Sequence, residues 1–179
     1  MKTTQILIAG FGGQGVLFAG KFLAYKGLME DLQVSWLPSY GPEMRGGTAN
    51  CNVILSDTPV GSPIITCPDV LIAMNLPSLQ KYVNTVAPGG QIYLDSTLIG
   101  EKVTRTDVSV FYVPATQMAR DAQIPTLANM ILIGSLLQNN SELSFAGTEA
   151  AVSKLVPPKK AALVELNMKA LNLGKDYNG

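Results

Sequence analysis

Ser39, Tyr40, Glu43 and Arg45, side chains capable of polar chemistry, stand close together in residues 38–50, Pro-Ser-Tyr-Gly-Pro-Glu-Met-Arg-Gly-Gly-Thr-Ala-Asn. Prolines and glycines surround them, which makes the stretch an irregular loop with stiff corners. Arg45 is a permanent cation able to pair bidentately with a carboxylate or a phosphate. Glu43 is placed to orient it, and Tyr40 offers an aromatic face and a hydroxyl. Gly46 and Gly47 leave space for the close approach of a ligand or another chain. The competing account is a surface ion pair in a rigid turn, which contributes little.

A second glycine-rich stretch lies upstream, Gly10-Phe11-Gly12-Gly13-Gln14-Gly15. Gly10, Gly12 and Gly15 fit Gly-x-Gly-x-x-Gly, after an apolar run and before a helical pattern, the setting a phosphate-binding turn requires. A helix N-terminus there offers unpaired N–H groups and partial positive charge. A full dinucleotide site needs an acidic residue roughly 20 positions further on, after the second strand. Leu37, Pro38 and Ser39 occupy that place, while Glu30 and Asp31 precede the strand. The fingerprint for NAD or FAD is therefore incomplete. The turn is read as a phosphate or backbone-binding corner formed by Gly10, Gly12, Gly13, Gln14 and Gly15, with strand–helix packing as the alternative. Asn75 is a third candidate, at the end of a later strand; its alternative role is a turn or helix cap ahead of Pro77.

Composition excludes several chemistries. There is no histidine, so imidazole acid–base work and Ser–His or Cys–His nucleophiles are missing. Cys51 and Cys67 are too far apart in sequence for a cluster or zinc motif and are expected to be buried thiols. No catalytic residue and no metal ligand set is assigned. Thirteen basic and thirteen acidic residues give zero formal charge, which offers no basic face for nucleic acid. Lys2 and the apolar run after it resemble a leader, but glycines interrupt the run, and a strand, turn and helix explain it better. No stretch reaches the roughly 20 apolar residues of a membrane helix. The expectation is a cytoplasmic protein.

The elements that must position these loops follow from hydrophobic periodicity. Strands are expected at 5–9, 33–37, 49–55, 70–74, 91–94 and 109–113, with helices at 16–26, from Pro77 or Ser78, 116–121, from Thr126 to about 139, from a Ser144 cap to about 156, and 159–173. The 126–139 helix is apolar all round, so it either lies in the core or buries one face against another subunit. Leu163, Leu166, Ala170 and Leu173 are expected to form the buried face of the last helix, with Gly174 as its stop. At 179 residues, with 47% hydrophobic and 15% charged residues, the chain suits one domain, 1–179. The fold class expected is α/β: a Rossmann-like, doubly wound, mostly parallel sheet with helices on both faces.

The motifs together resemble one family. Gly10-Phe11-Gly12-Gly13-Gln14-Gly15-Val16, followed by Ala19-Gly20 and Leu23-Ala24, is similar to the start of the gamma subunit of 2-oxoacid:ferredoxin oxidoreductases. Residues 39–51 resemble that family's central loop. Ser56-Asp57, Val60-Gly61-Ser62-Pro63, Ala73-Met74-Asn75 and Asp95-Ser96 continue the likeness in order over nearly the whole chain. The form Glu-Met-Arg-Gly-Gly-Thr-Ala-Asn resembles the 2-oxoglutarate synthase type, with branched-chain oxoacid enzymes as near neighbours.

The resemblance implies a subunit inactive alone. Its complex decarboxylates a 2-oxoacid oxidatively to an acyl-CoA and reduces ferredoxin. Thiamine diphosphate and [4Fe-4S] clusters belong to alpha, beta and ferredoxin-like delta partners, while this chain helps form the coenzyme A side of the site. Ser39, Tyr40, Glu43, Arg45, Gly46, Gly47 and Asn75 would then form a ligand or inter-subunit loop. Two other accounts compete: a free-standing NAD- or FAD-binding oxidoreductase, and a pure assembly module.

Overall fold

The computed structural model describes residues 3–40 and 48–179, with Tyr40 described by its backbone. Glu43, Arg45, Gly46 and Gly47 lie outside the described residues. Six strands form one sheet, β1 (Thr3–Phe11), β2 (Gln33–Tyr40), β3 (Thr48–Ser56), β4 (Val70–Ala73), β5 (Gln91–Asp95) and β6 (Ser109–Val113). The order across the sheet is β2-β3-β1-β4-β5-β6. β1, β4, β5 and β6 are parallel, whereas β3 is antiparallel to both β1 and β2. The fold class is α/β as expected, with a mixed sheet: a β2–β3 hairpin fills the place a further crossover would occupy.

Strand β1 is apolar because it is covered on both sides. Ile6 and Ile8 enter one core with α1 (Val16–Met29), while Leu7 enters a second core with α2 (Leu76–Tyr82). The first core is the larger. It also takes in α3 (Ala115–Asp121), α4 (Ala128–Asn139), α5 (Thr148–Leu155) and α6 (Ala162–Asp176). Helices thus cover both faces, but unequally.

Pro38 lies inside β2, which extends past Leu37 to Tyr40. An edge strand tolerates a residue without an N–H, and β2 is the edge beyond β3.

Helix α4 is buried from Ala128 to Leu137. Its neighbours are α6, α3, β5 and α1 of the same chain, so its all-round apolar surface is satisfied without a second subunit. Met130, Ile131, Leu132, Ile133 and Leu136 are fully buried. Each contributes up to roughly 1.5–3 kcal/mol through burial.

The last helix differs from expectation. Asn167, Ala170, Leu171 and Gly174 form its buried stripe, and Leu163 and Leu166 are exposed. Gly174 is inside the helix, where it brings the α6 backbone against Ile131 of α4. Close backbone approach selects Gly174 for the buried stripe, which Leu171 shares, while Leu163 and Leu166 fall outside it. Helix α5 begins after Gly147, in the left-handed region at φ 71°, instead of at Ser144. Ser144 Oγ accepts from the Ala146 N–H in the preceding turn.

Candidate functional site

The connections leaving β1 and β4 go to opposite faces, since α1 packs in one core and α2 in the other. The carboxyl ends of these two neighbours therefore form the switch point of the sheet, the place where open α/β sheets receive ligands. Phe11 pairs with Thr48, Tyr40 with Ala49, and Ala9 with Ala73. The glycine turn, the two strand ends that flank residues 41–47, and Asn75 consequently share one edge of the sheet. Of the two loops expected at one end, these registers place the glycine turn and the strand ends that flank residues 41–47, which themselves lie outside the described residues.

Within the turn, each described glycine has its own reason. Gly10 is still in β1, opposite Ala49; a Cβ there would lie 2.7 Å from Gln14 Oε1 and 3.0 Å from Met74 Cβ. Gly13, at φ 98°, and Gly15, at φ 77°, are left-handed, which other residues adopt at a cost. Gly12 and Gly13, with Phe11, Leu17, Phe18 and Ala49, line a shallow, mostly apolar depression of about 220 Å³. Gly15 precedes the first residue of α1 and supplies no side-chain cap, and the first turn of α1 has no acidic residue. That helix end keeps its positive character for an anion.

Gln14 bridges the two strand ends. Its Oε1 accepts from the Phe11 N–H at 2.6 Å, and its Nε2 donates to the Met74 carbonyl at 2.9 Å. Met74 in turn donates its N–H to Ala9 O at 2.9 Å.

Asn75 is buried and serves as the cap of α2: its Oδ1 accepts from the Ser78 N–H at 2.8 Å. Its Nδ2 has no hydrogen-bond partner among the described residues. The side chain therefore fulfils the capping account while keeping one donor unspent. Ser39 is exposed on β2, opposite Asn50.

Two residues at this edge escape a purely local reading of the sequence. Asn129, in the first turn of α4, donates from Nδ2 to Gly15 O at 3.1 Å. Its only sequence signal is a polar residue just ahead of the apolar run Met130–Ile133. Asp95, fully buried at the end of β5, accepts from Thr97 N, Thr116 N and Thr116 Oγ1. It joins the β5 corner to the start of α3.

The two cysteines diverge from the expected pair of buried thiols. Cys51 is buried and Cys67 exposed, and both are free. Burial pushes the Cys51 thiol up to about 12, against smaller opposing contributions from Trp36 and the Gly20 backbone. Burial also raises the Tyr93 phenol. Among the described residues no group of three His, Cys, Asp or Glu could hold a metal, and residues 41–47 add one carboxylate, Glu43.

Over residues 5–177 the sequence matches the family described as pyruvate ferredoxin/flavodoxin oxidoreductase. The chain belongs to that family. Ketoisovalerate oxidoreductase subunit VorA of Methanothermobacter thermautotrophicus is 39% identical over 177 residues, covering 97% of this chain and 36% of VorA. The chain thus spans little more than a third of the VorA relatives it matches. 2-Oxoglutarate synthase subunit KorC of Methanothermobacter marburgensis is 35% identical over 179 residues, covering 96% of this chain and 95% of KorC. Among solved structures, the gamma subunit of keto/oxoacid ferredoxin oxidoreductase from Geobacter sulfurreducens superposes with a TM-score of 0.84 at 30% identity, over 97% of this chain and 95% of that one. The 2-oxoglutarate:ferredoxin oxidoreductase of Magnetococcus marinus, solved with 2-oxoglutarate, coenzyme A and succinyl-CoA, shares the fold at TM-score 0.88 and 24% identity, over 98% of this chain and 31% of that one.

Proposed function

We propose that this chain is the gamma component of a cytoplasmic 2-oxoacid:ferredoxin oxidoreductase and contributes the coenzyme A side of its active site. The carrying observation is the nearly end-to-end correspondence with KorC in sequence and with a gamma subunit in structure. In the proposed reaction a 2-oxoacid loses carbon dioxide, its acyl group passes to the coenzyme A thiol, and two electrons leave for ferredoxin. The loop form Glu43-Met44-Arg45-Gly46-Gly47 favours 2-oxoglutarate, with 2-oxoisovalerate as the competitor because VorA is also a relative.

The residues present fit a phosphate-bearing acyl acceptor. The α1 N-terminus lacks an acidic neighbour, and the depression beside it is mostly apolar. An anionic group would sit at the helix end, with apolar linker atoms against Phe11, Leu17 and Phe18. Coenzyme A supplies the thiol that takes the acyl group. Arg45, between strands whose ends reach this edge, would pair with an anionic group there.

The donor set fits neither an iron–sulfur cluster nor a metal-bound diphosphate. It holds two cysteines, one of them buried and held in the thiol form, and no three-residue ligand group among the described residues. Thiamine diphosphate and [4Fe-4S] are accordingly assigned to alpha, beta and delta partners.

The test is reconstitution. The chain is co-expressed with candidate thiamine-diphosphate and ferredoxin-like subunits, purified through a tag on this chain, and assayed for coenzyme A-dependent ferredoxin reduction with 2-oxoglutarate and 2-oxoisovalerate. Stable co-purification and turnover are expected. A chain that never associates with such subunits, or that alone binds NAD(P) or FAD tightly, overturns the reading.

A further inference from the structure

The geometry assigns to Gln14 a positioning role: its amide is a strut that ties the glycine turn to the Asn75 corner, so that both sides of the switch point move as one body. Neither arm of the amide faces a ligand. Oε1 is taken by the Phe11 N–H and Nε2 by the Met74 carbonyl. The two bonds reach across from β1 to β4, the neighbouring strands whose outgoing connections part to opposite faces of the sheet. Pairing of β1 with β3 runs on to Phe11 and Thr48, but pairing of β1 with β4 ends at Ala9 and Ala73, so on the β4 side the turn needs another tether.

Gly10 supports the same assignment. A Cβ at Gly10 would stand 2.7 Å from Gln14 Oε1, so the missing side chain leaves the volume that the amide fills. Gly10 and Gln14 are thus one device: a vacancy in the strand and the group that occupies it. The main chain closes the same turn, the Gln14 N–H donating to Phe11 O at 3.2 Å ahead of α1. The amide is needed in both senses, as acceptor on one side and donor on the other, which a carboxylate cannot reproduce.

The consequence for ligand binding rests on the proposed coenzyme A side of the site. If the turn and the Asn75 corner present one preformed surface, loosening the strut weakens ligand binding before it slows the chemistry, because ordering must then accompany binding.

The test uses the assembled complex with Gln14→Met, which keeps length and removes both bonds, and Gln14→Glu, which keeps an acceptor for Phe11 and loses the donor to Met74. KM for coenzyme A is expected to rise about tenfold in Gln14→Met and less in Gln14→Glu, with kcat at saturation nearly unchanged. Amide hydrogen exchange on the full chain is the second readout. The Phe11 N–H should exchange faster in Gln14→Met and stay protected in Gln14→Glu, with β5 amides unaltered in both. Unchanged Phe11 exchange in Gln14→Met overturns the strut. Faster exchange with an unmoved KM overturns its positioning role, while turnover of that complex leaves the gamma-component reading standing. A wild-type complex that does not turn over defeats that reading, and the exchange result still decides the strut.

Discussion

Gly134 of α4 lies directly against the main-chain carbonyl of Leu171 in α6, and three residues along each helix Gly174 meets Ile131 in the same way. The pair lets two backbones approach more closely than side chains allow, which is how α6 seals the outer side of α4. Gly134→Ala should therefore destabilise the chain by about 3 kcal/mol, because the obstacle is backbone and cannot swing aside. Gly100→Ala is the control: nothing lies within 4 Å of a Cβ there, so its effect should be near zero. Thermal denaturation of both variants checks this, with a Tm lowered by roughly 6–12 °C expected for the first.

The same helix pair shows where sequence reasoning stops. The strands were legible because buried parallel strands are short apolar runs between glycines and prolines, and Ile6 through Ala9 or Val70 through Ala73 admit little else. The phosphate-type turn was legible because glycines at fixed spacing have few structural uses. The buried face of helix α6 was legible only at Ala170, because a leucine is an equally good signal for a core face and for a half-exposed flank. The buried stripe was chosen by backbone proximity, which favours Ala170 and Gly174 and has no local signature. The antiparallel β3 was read as a strand, but its direction depends on a hairpin partner that periodicity does not name. Asn129 and its bond to Gly15 join residues far apart in sequence, so no window of the chain contains that contact.

Asp95 is the polar counterpart of that packing. Its carboxylate accepts from Thr116 N and, at 2.5 Å, from Thr116 Oγ1 in a fully buried position. Asp95→Ala would strand these donors and should cost about 2–4 kcal/mol. Thr116→Val removes a donor together with its need and should cost less. Urea denaturation midpoints of the two variants test the order; a smaller loss for Asp95→Ala would show that water satisfies the corner.

The cysteines should separate cleanly by reactivity. With Cys51 held near 12 and buried, its thiolate is scarce at pH 8, while Cys67 is exposed. One equivalent of thiol reagent should react quickly with the native chain and a second only on unfolding, as read by mass spectrometry. The sign of the linkage follows. The folded state holds the Cys51 proton more tightly than the unfolded chain, whose value is 9.0. This contribution to stability is present in full below pH 9 and is lost as pH rises from there towards about 12. Cys51→Ala should flatten that part of the alkaline stability profile.

Arg45 supplies the sharpest test of what the shared edge is for. It lies between β2 and β3, whose ends are held beside the glycine turn by the Tyr40–Ala49 and Phe11–Thr48 pairings. If it pairs with an anionic group in the assembled enzyme, Arg45→Ala should lower kcat/KM for coenzyme A by about a hundredfold, roughly 2.7 kcal/mol. Arg45→Lys distinguishes charge from geometry. A lysine restores the charge without the planar fork, so recovery should be partial when the contact is bidentate and nearly complete when only the field matters. Subunit co-purification must be measured alongside. Loss of assembly with both substitutions would identify the loop as an interface; intact assembly with impaired coenzyme A kinetics would place it at the ligand. Kinetics and assembly both matching the unsubstituted complex would remove Arg45 from the site.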